Sequence, residues 1–262
     1  MKKNFKGIYL LISSIIIGLL HIPFAFAKSA TGTKLFFHPP TDSTLKTSVI
    51  VLPVVPALRS VYDSLHLSLA GLSQHAFDFA KQGLHKLIEE GKLLNDSIIS
   101  IIDFSQPSNQ KRLFVFDLKN YKILFNTLVA HGRNSGRELA TSFSNQNKSF
   151  QSSTGFYITG QTYEGRNGYS LKLEGIEKGI NDNAFERGIV IHGADYVCDA
   201  FVNSQGYIGR SQGCPAVPLQ ANMPIINTIK NGTCLFVYHP TYISRSLLLN
   251  EPILFITLWH LR

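Results

Sequence analysis

The feature that most constrains the fold is a change of hydrophobic period near residue 97. Upstream, apolar residues recur every three or four positions from Leu58 to Leu72 and again from Ala76 to Ile88, which is the spacing of one helix face. Ser73 is placed to cap the second helix and Gly91 to end it. Downstream, short β-branched and aromatic runs alternate with glycine and asparagine. The sequence therefore predicts an N-terminal helical region followed by a mainly β domain.

Seven runs in the second part of the chain have the composition of strands. Two of them, joined by Leu118-Lys119-Asn120, form a predicted hairpin. Residues 133 to 153 are rich in Ser, Asn and Gly and predict a long loop of the kind that often binds or covers a ligand. The predicted strands are Ile98–Phe104, Arg112–Asp117, Tyr121–Ala130, Gly155–Thr159, Tyr169–Leu173, Ile189–His192 and Thr233–Tyr238.

Residues 1–27 have the layout of a secretory signal peptide. Three lysines in the first six positions precede an apolar stretch of 13 residues, Ile8 to Leu20, and Ala25-Phe26-Ala27 forms a small-x-small cleavage site. An uncleaved membrane anchor is the alternative, but a spanning helix needs about 20 apolar residues. We expect an exported protein, located in the periplasm or cell envelope, whose mature chain begins at Lys28.

The charge pattern argues against one class of partner. The chain has a formal charge of +8, and loss of the three signal lysines leaves 22 basic against 17 acidic side chains, a net charge near +5. No basic run is longer than Lys111-Arg112, so a nucleic-acid-binding patch is not predicted. A mildly basic exported protein suits an anionic environment such as the cell wall.

The chain has three cysteines, Cys198, Cys214 and Cys234. An odd number leaves at least one thiol unpaired within a monomer, and a free thiol outside the cytoplasm needs either a function or burial to explain it. A bridge between Cys198 and Cys234 requires their Cα atoms to lie within about 7 Å. We favour the alternative, in which both are small buried hydrophobic residues.

Two short segments combine the residue types that nucleophilic catalysis needs. The apolar run Ile189–Gly193 ends in a His-Gly pair, and the Gly-rich turn Gly209–Pro215 contains Cys214. A thiolate is the attacking species, and a neighbouring imidazole or backbone dipoles must lower its pKa. Gly213 lets backbone N–H groups approach a developing oxyanion closely. His192 precedes the cysteine by 22 residues, enough chain to return beside it, so we expect a nucleophile and base pair.

These segments resemble the catalytic domain of the L,D-transpeptidase (YkuD-like) family, in which a His-Gly strand end is followed by a Ser/Thr-x-Gly-Cys turn. Ser211-Gln212-Gly213-Cys214 matches that turn, although Gln212 replaces the usual His, and Pro215-Ala216 replace a polar or basic position. The turn is similar to that of a divergent branch with a GRSxGCPA pattern. Further segments similar to that branch, over about residues 60 to 239, are Ala130–Gly136, Phe143–Asn145, Ser152–Tyr157 and Tyr169–Leu173.

The resemblance implies a mainly β fold, an L,D-transpeptidase-like β-sandwich with an N-terminal helical region and the cysteine at one end of a cleft. It also implies a reaction on peptidoglycan stem peptides. The thiolate attacks the carbonyl between a diamino acid, usually meso-diaminopimelate, and D-Ala, and an amine or water resolves the thioester. An amine gives a 3→3 cross-link and water gives carboxypeptidase activity. Family members are often acylated by carbapenems, and no metal or cofactor is implied.

The same resemblance assigns catalytic roles. Cys214 is the expected nucleophile, and His192 is the expected general base and later the acid for the leaving amine. Ser211, through its backbone carbonyl, is expected to orient the imidazole as the third member. The N–H groups of Gly213 and Cys214 are the expected oxyanion donors.

Three further residues are expected to bind substrate. Arg210 suits the substrate's carboxylates because a guanidinium pairs with them bidentately, with a structural salt bridge as the alternative. His131 and Arg133 lie in a His-Gly turn before the long polar loop, where they either line the cleft or form a structural turn.

Three other interpretations stay open. In an NlpC/P60 or papain-like peptidase the cysteine precedes the histidine, which is the opposite order. A wall-binding module with an inert cysteine would suit the polar loop and the basic charge. A zinc site built from His131, His192 and Cys214 lacks metal-ligand spacing.

The predicted organisation has four parts: the signal peptide at 1–27, a lead-in and helical region at 28–96, the catalytic domain at 97–239, and an apolar C-terminal tail at 240–262. The tail contains two apolar runs that are too short to span a bilayer. We expect it to pack on the β-domain, with a membrane interface as the alternative. The sequence gives no indication of oligomeric state.

Overall fold

The computed structural model describes residues 61–250. Its strands are β1 (Ile98–Asp103), β2 (Leu113–Asp117), β3 (Lys122–Thr127), β4 (Gly155–Gly165), β5 (Gly168–Gly175), β6 (Val190–Ala194), β7 (Ala216–Pro218) and β8 (Cys234–Tyr238). Its helices are α1 (Val61–Ser64), α2 (Gln74–Glu89), α3 (Asp199–Gln205), α4 (Leu219–Ile229), α5 (Pro240–Ile243) and α6 (Leu247–Asn250). The mainly β fold with few helices confirms the predicted fold class.

All eight strands belong to one sheet, in the order β3-β2-β1-β8-β4-β5-β6-β7. The pairs β1–β8 and β6–β7 are parallel, and the other pairs are antiparallel. After β3 the chain returns to the far edge, where Ala130 bridges Ala216 and Gly132 bridges Ser211. The two edges of the sheet therefore come together and give a nearly barrel-like sheet. This closure brings the start of the long loop next to the cysteine turn.

The central strands are continuously apolar because both faces of the sheet are covered. Ile99 and Ile101 of β1 pack in one cluster with Leu84 and other residues of α2. Ile102, from the opposite face of β1, packs in a second cluster with Ile226 and other residues of α4. A strand buried on both faces loses the alternation of apolar and polar residues that marks a half-exposed strand.

The second predicted helix is confirmed and the first is shorter than predicted. The Ser73 hydroxyl accepts a hydrogen bond from the Ala76 N–H at 3.1 Å, which is the expected N-cap of α2. The apolar stripe from Leu58 to Leu72 forms a helix only at Val61–Ser64 within the described residues, and turns follow. The Tyr62 hydroxyl donates to the Leu72 carbonyl at 2.6 Å, so a tertiary contact folds this segment back and ends the helix.

Each of the seven predicted strand regions contains a strand, and the hairpin joins β2 to β3 as expected. The long polar loop lies between β3 and β4. Two elements next to the cysteine were not predicted: the three-residue β7 and the helix α4 that follows it. The three cysteines are free thiols, and Cys234 is fully buried.

The described part of the C-terminal tail packs on the β-domain. The Glu177 carboxylate accepts hydrogen bonds from the Tyr242 hydroxyl at 2.6 Å and the Ser246 hydroxyl at 2.7 Å. Leu249 is buried, and its carbonyl accepts a hydrogen bond from Gln82 of α2 at 2.9 Å. The predicted signal peptide, the lead-in before residue 61 and the last 12 positions of the tail, 251–262, lie outside the described residues. Among residues 61–250, no helix has the length and apolar character needed to cross a membrane.

Candidate active site

The parallel pair β6–β7 brings the histidine and the cysteine to one place. His192 of β6 lies opposite Ala216 of β7, which follows Cys214 by two residues. The cysteine sulfur accepts from the Val190 N–H at 3.5 Å and lies 3.6 Å from the Gly188 carbonyl, to which the thiol donates. Cys214 and His192 line the same cavity, whose volume is about 790 Å³. The two residues are thus neighbours at the wall of one open site.

The hydrogen bond of the His192 ring determines which nitrogen is free to act as a base. Nδ1 lies 2.9 Å from the Gly193 carbonyl oxygen. A carbonyl can only accept, so Nδ1 carries the proton and Nε2 keeps its lone pair. Burial lowers the pKa of His192, and the Gly193 bond opposes part of that shift. The imidazole is therefore neutral near pH 7 and has an accepting Nε2.

The role expected for Ser211 needs a correction. The carbonyl that orients His192 belongs to Gly193, whereas the Ser211 carbonyl accepts from the Arg133 N–H at 2.8 Å. The Ser211 hydroxyl donates to the Cys214 carbonyl at 2.6 Å and accepts from the Gly213 N–H at 3.0 Å. Ser211 thus holds the shape of the cysteine turn and does not hold the imidazole.

The expected oxyanion role of Gly213 is corrected by the same hydrogen bonds. Its N–H already donates to the Ser211 hydroxyl. Its φ of +123° and the 2.8 Å that would separate an added Cβ from the Gln151 carbonyl explain why glycine occupies the position. Gly213 therefore serves the backbone path of the turn. The Cys214 N–H stays the predicted oxyanion donor.

The thiol of Cys214 is held in its protonated form. Burial raises its pKa, and the Val190 N–H and the positive charge of Arg187 oppose that rise. A protonated thiol beside a neutral imidazole must lose its proton as it attacks. In this structure the thiol directs its proton to the Gly188 carbonyl, and His192, whose Nε2 keeps its lone pair, lines the same cavity.

Arg187 is a site residue that the sequence analysis missed. Its half-buried guanidinium donates to four oxygens of the long loop, and burial lowers its pKa. The acceptors are the Ser144 carbonyl at 2.8 Å, the Ser153 hydroxyl at 2.5 Å, the Gln151 carbonyl at 2.6 Å and the Ser149 hydroxyl at 3.3 Å. Arg187 thus fixes the loop against the cavity while its charge acts on the thiol. No motif or spacing marked it, because its partners are distant in sequence.

Arg133 and Arg210 line the cavity, where the sequence analysis placed them. The Arg133 guanidinium lies over the Phe150 ring at 4.1 Å from its centroid. The Arg210 guanidinium donates to the Gly136 carbonyl at 3.2 Å and approaches the Arg133 carbonyl at 3.4 Å. Neither of these contacts neutralises a positive charge. Both side chains are held in place and keep the charge that carboxylate binding requires.

His131, the third expected substrate-binding residue, does not reach the cavity. It is fully buried, and its Nδ1 accepts from the guanidinium of the fully buried Arg112 at 2.7 Å. Burial, with a smaller effect from Arg112, lowers the pKa of His131 to about 3. His131 is therefore a structural residue. It acts on the site only through its backbone, since its carbonyl accepts from the Ser211 N–H at 3.0 Å.

The fold and the site define a class of protein: a mainly β domain in which a neutral imidazole on one strand and a thiol in the turn before the neighbouring parallel strand line a basic cavity. The model of the L,D-transpeptidase catalytic domain family matches residues 69–238, which is more than half of the chain. The chain belongs to this family. Membership confirms the resemblance to the L,D-transpeptidase family that the sequence analysis described.

Solved structures of low sequence identity are also similar to the chain. An L,D-transpeptidase from Mycobacterium smegmatis is 13% identical with a TM-score of 0.35, over 55% of this chain and 59% of that one. The helical cell shape determining protein Pgp2 from Campylobacter jejuni is 14% identical with a TM-score of 0.38, over 60% and 56%. The chain thus spans about six tenths of these relatives. No curated protein matches it in sequence.

Proposed function

We propose that the chain is an exported cysteine transpeptidase of peptidoglycan stem peptides, with Cys214 as nucleophile and His192 as base. One observation supports this proposal above all. The thiol of Cys214 and the imidazole of His192 line one cavity, and the His192 tautomer leaves Nε2 free to accept the thiol proton.

The proposed reaction has two half-reactions. The sulfur of Cys214 bonds to the carbonyl carbon between the diamino acid and D-Ala, and the thiol proton passes to Nε2 of His192. The C–N bond then breaks, the proton moves to the departing amine of D-Ala, and a thioester remains on the enzyme. An acceptor amine, or water, attacks the thioester and gives its proton to His192, and the C–S bond breaks to restore the thiol.

Two features of the cavity support this course. The Cys214 N–H is the proposed donor to the oxyanion of each tetrahedral intermediate. Arg187 lies close enough to favour the thiolate electrostatically, which offsets part of the burial that disfavours it. The thiol therefore needs only a neighbouring neutral base, and not a preformed thiolate, for attack at neutral pH.

Export is the second part of the proposal, and it is supported by the signal-peptide pattern of residues 1–27. Peptidoglycan lies outside the cytoplasmic membrane, so this location and the proposed substrate agree. N-terminal sequencing of the protein recovered from the cell envelope tests it. A mature chain that begins at Lys28 is expected, and recovery of an intact N-terminus would contradict cleavage.

Two measurements on one set of variants test the catalytic proposal. Incubation with a carbapenem, followed by intact-mass analysis, should show one covalent adduct. A diaminopimelate tetrapeptide should release D-Ala. Cys214→Ala should lose both while its circular dichroism spectrum stays unchanged, because the attacking atom is gone.

Cys198→Ala is the matched control, since it removes a partly exposed thiol that does not line the cavity. It should keep both the adduct and the release of D-Ala. An adduct on Cys214→Ala would contradict the nucleophile assignment. A wild-type protein that forms no adduct and releases no D-Ala would favour the wall-binding module instead.

A further inference from the structure

Positive charge is concentrated around the active-site cavity. Five basic side chains line it, against the single carboxylate of Asp195. We call these five residues the cationic rim: Arg133, Lys148, Arg166, Arg187 and Arg210. None of the five forms an ion pair within 4.0 Å with a carboxylate of residues 61–250. The positive charges of the cationic rim are therefore not neutralised by ion pairs, and they create a positive electrostatic potential around Cys214.

Much of the cationic rim is held in place by groups that leave its charge intact. Arg187 and Arg210 donate to backbone carbonyls, and Arg133 lies over the ring of Phe150. Carbonyl oxygens and aromatic rings fix a guanidinium without cancelling its charge. A charge that is already positioned and unpaired loses little entropy when an anion binds.

The loop backbone supports the same arrangement. Lys148 and Phe150 both have positive φ angles, 58° and 54°, which are uncommon for residues other than glycine. Both residues line the cavity. Such conformations persist where the surrounding structure requires them and are concentrated at functional sites. In this loop segment the Phe150 ring lies under the Arg133 guanidinium, and Lys148 lines the cavity.

We propose that the cationic rim selects donor stems whose carboxylates are free over otherwise identical stems whose carboxylates are amidated. This inference rests on the proposed function, since it takes a stem peptide as the donor. Amidation removes the negative charge of a carboxylate but changes its size little. A site can therefore distinguish the two stems mainly by the charge of the carboxylate, and the five positive side chains of the cationic rim provide that interaction.

The geometry of a bound stem places its carboxylates within range of the rim. The two carboxylates lie six and seven bonds from the scissile carbonyl carbon, so even in an extended stem they stay within about 10 Å of the sulfur. That distance is comparable to the Debye length of about 8 to 10 Å at ordinary ionic strength, so the charges of the rim still act on both groups. The relevant groups are the side-chain carboxylate of diaminopimelate and the free carboxylate of the residue before it.

Three synthetic tetrapeptides test the inference: one with both of these carboxylates free, one amidated on the diamino acid, and one amidated on both residues. The full-length protein should release D-Ala from all three. We expect kcat/KM to fall about tenfold for each amidated carboxylate, the size of one charge-assisted contact. The ratio should shrink toward one as salt rises to about 1 M, where the Debye length is about 3 Å.

Variants of two exposed residues of the cationic rim test whether the preference for free carboxylates arises from the rim. Arg166→Gln and Lys148→Gln should each lower the preference for the free peptide about threefold, since each removes one charge of the field. Arg245→Gln and Lys119→Gln remove exposed charges that do not line the cavity, and they should leave the preference unchanged.

Two results would overturn the inference while leaving the proposed function standing. One is equal kcat/KM for all three peptides, and the other is a preference that neither Arg166→Gln nor Lys148→Gln reduces. Absence of D-Ala release from every peptide would instead overturn the proposed function and this inference together.

Discussion

The chain contains the same dipeptide, His-Gly, at two places, and the fold gives the two copies different surroundings. His131-Gly132 lies four residues after β3 and is buried, whereas His192-Gly193 lies within β6 and lines an open cavity. Both imidazoles are buried, at 0% and 5% exposure, so burial alone does not separate them. The difference lies in the group that each Nδ1 meets.

Nδ1 of His131 meets a guanidinium and Nδ1 of His192 meets a carbonyl. A guanidinium can only donate, so His131 keeps its proton on Nε2, which lies 3.3 Å from the Gly136 carbonyl. The carbonyl of Gly193 can only accept, so His192 keeps its proton on Nδ1 and presents a bare Nε2. The partner of Nδ1 thus makes one ring a structural link and leaves the other with the unprotonated Nε2 that the proposed base requires.

The largest expected effect comes from replacing His192, the proposed base. His192→Ala should reduce kcat/KM for D-Ala release by about 10²- to 10⁴-fold, the usual contribution of a positioned general base. The residual activity reflects the intrinsic reactivity of the thiol. Steady-state kinetics on the diaminopimelate tetrapeptide measures the loss, and thermal melting checks that the variant is folded. Turnover within threefold of the wild type would mean that another group accepts the proton.

The two His-Gly pairs also show which parts of the site can be predicted from the sequence. Cys214 and His192 were identified because each lies in a short motif, and the turn that bears the cysteine is local in sequence. The partner of the imidazole was assigned to Ser211, but it is Gly193. A sequence motif identifies residues that lie near a site. Only the folded backbone determines which carbonyl oxygen accepts a hydrogen bond from a given ring nitrogen.

The cationic partners of the two sites were not predicted for a related reason. Arg112 holds Val129 and His131, and Arg187 holds the loop from Ser144 to Ser153. Each guanidinium joins segments that are distant in sequence or irregular in structure, and neither has a periodic pattern around it. The same limit applies to the first helix, which a hydrogen bond from Tyr62 to the Leu72 carbonyl ends early.

Replacement of the structural copy should lower stability more than catalysis. His131→Leu leaves one N–H of the fully buried Arg112 without its acceptor, a loss that costs about 1 to 3 kcal/mol. For a domain of this size the melting temperature should fall by several degrees, at about 2 to 4 °C per kcal/mol. We expect kcat/KM to change less than tenfold, since the backbone bond from Ser211 to the His131 carbonyl remains.

The exposed His75 offers a matched control for this experiment. His75→Leu makes the same substitution at an exposed position of α2. It should leave the melting temperature within about 1 °C of that of the wild type, as is usual for surface substitutions. A His131→Leu variant that melts with the wild type would show that Arg112 does not depend on this ring.

The smallest effect is a pH dependence of stability that belongs mainly to the structural copy. Burial lowers the pKa of His131 to about 3, whereas an unfolded histidine titrates near 6.5. Between these values the unfolded chain binds a proton that the folded chain does not, so the free energy of unfolding decreases as pH falls. This contribution to stability is complete above about pH 6.5 and is lost progressively toward pH 3.

Urea unfolding at pH 7, 6 and 5 should therefore show a shallower slope for His131→Gln than for the wild type, by up to one proton or about 1.4 kcal/mol per pH unit. The difference between the two proteins is needed because burial also lowers the pKa of His192 and of His239, which adds slope of the same sign. His192→Gln should flatten the slope less, because the pKa of His192 is lowered less than that of His131. Equal slopes for His131→Gln and the wild type would mean that the His131 ring takes up a proton in the folded state as readily as in the unfolded chain. His131 would then not be the neutral structural residue that we distinguish from His192.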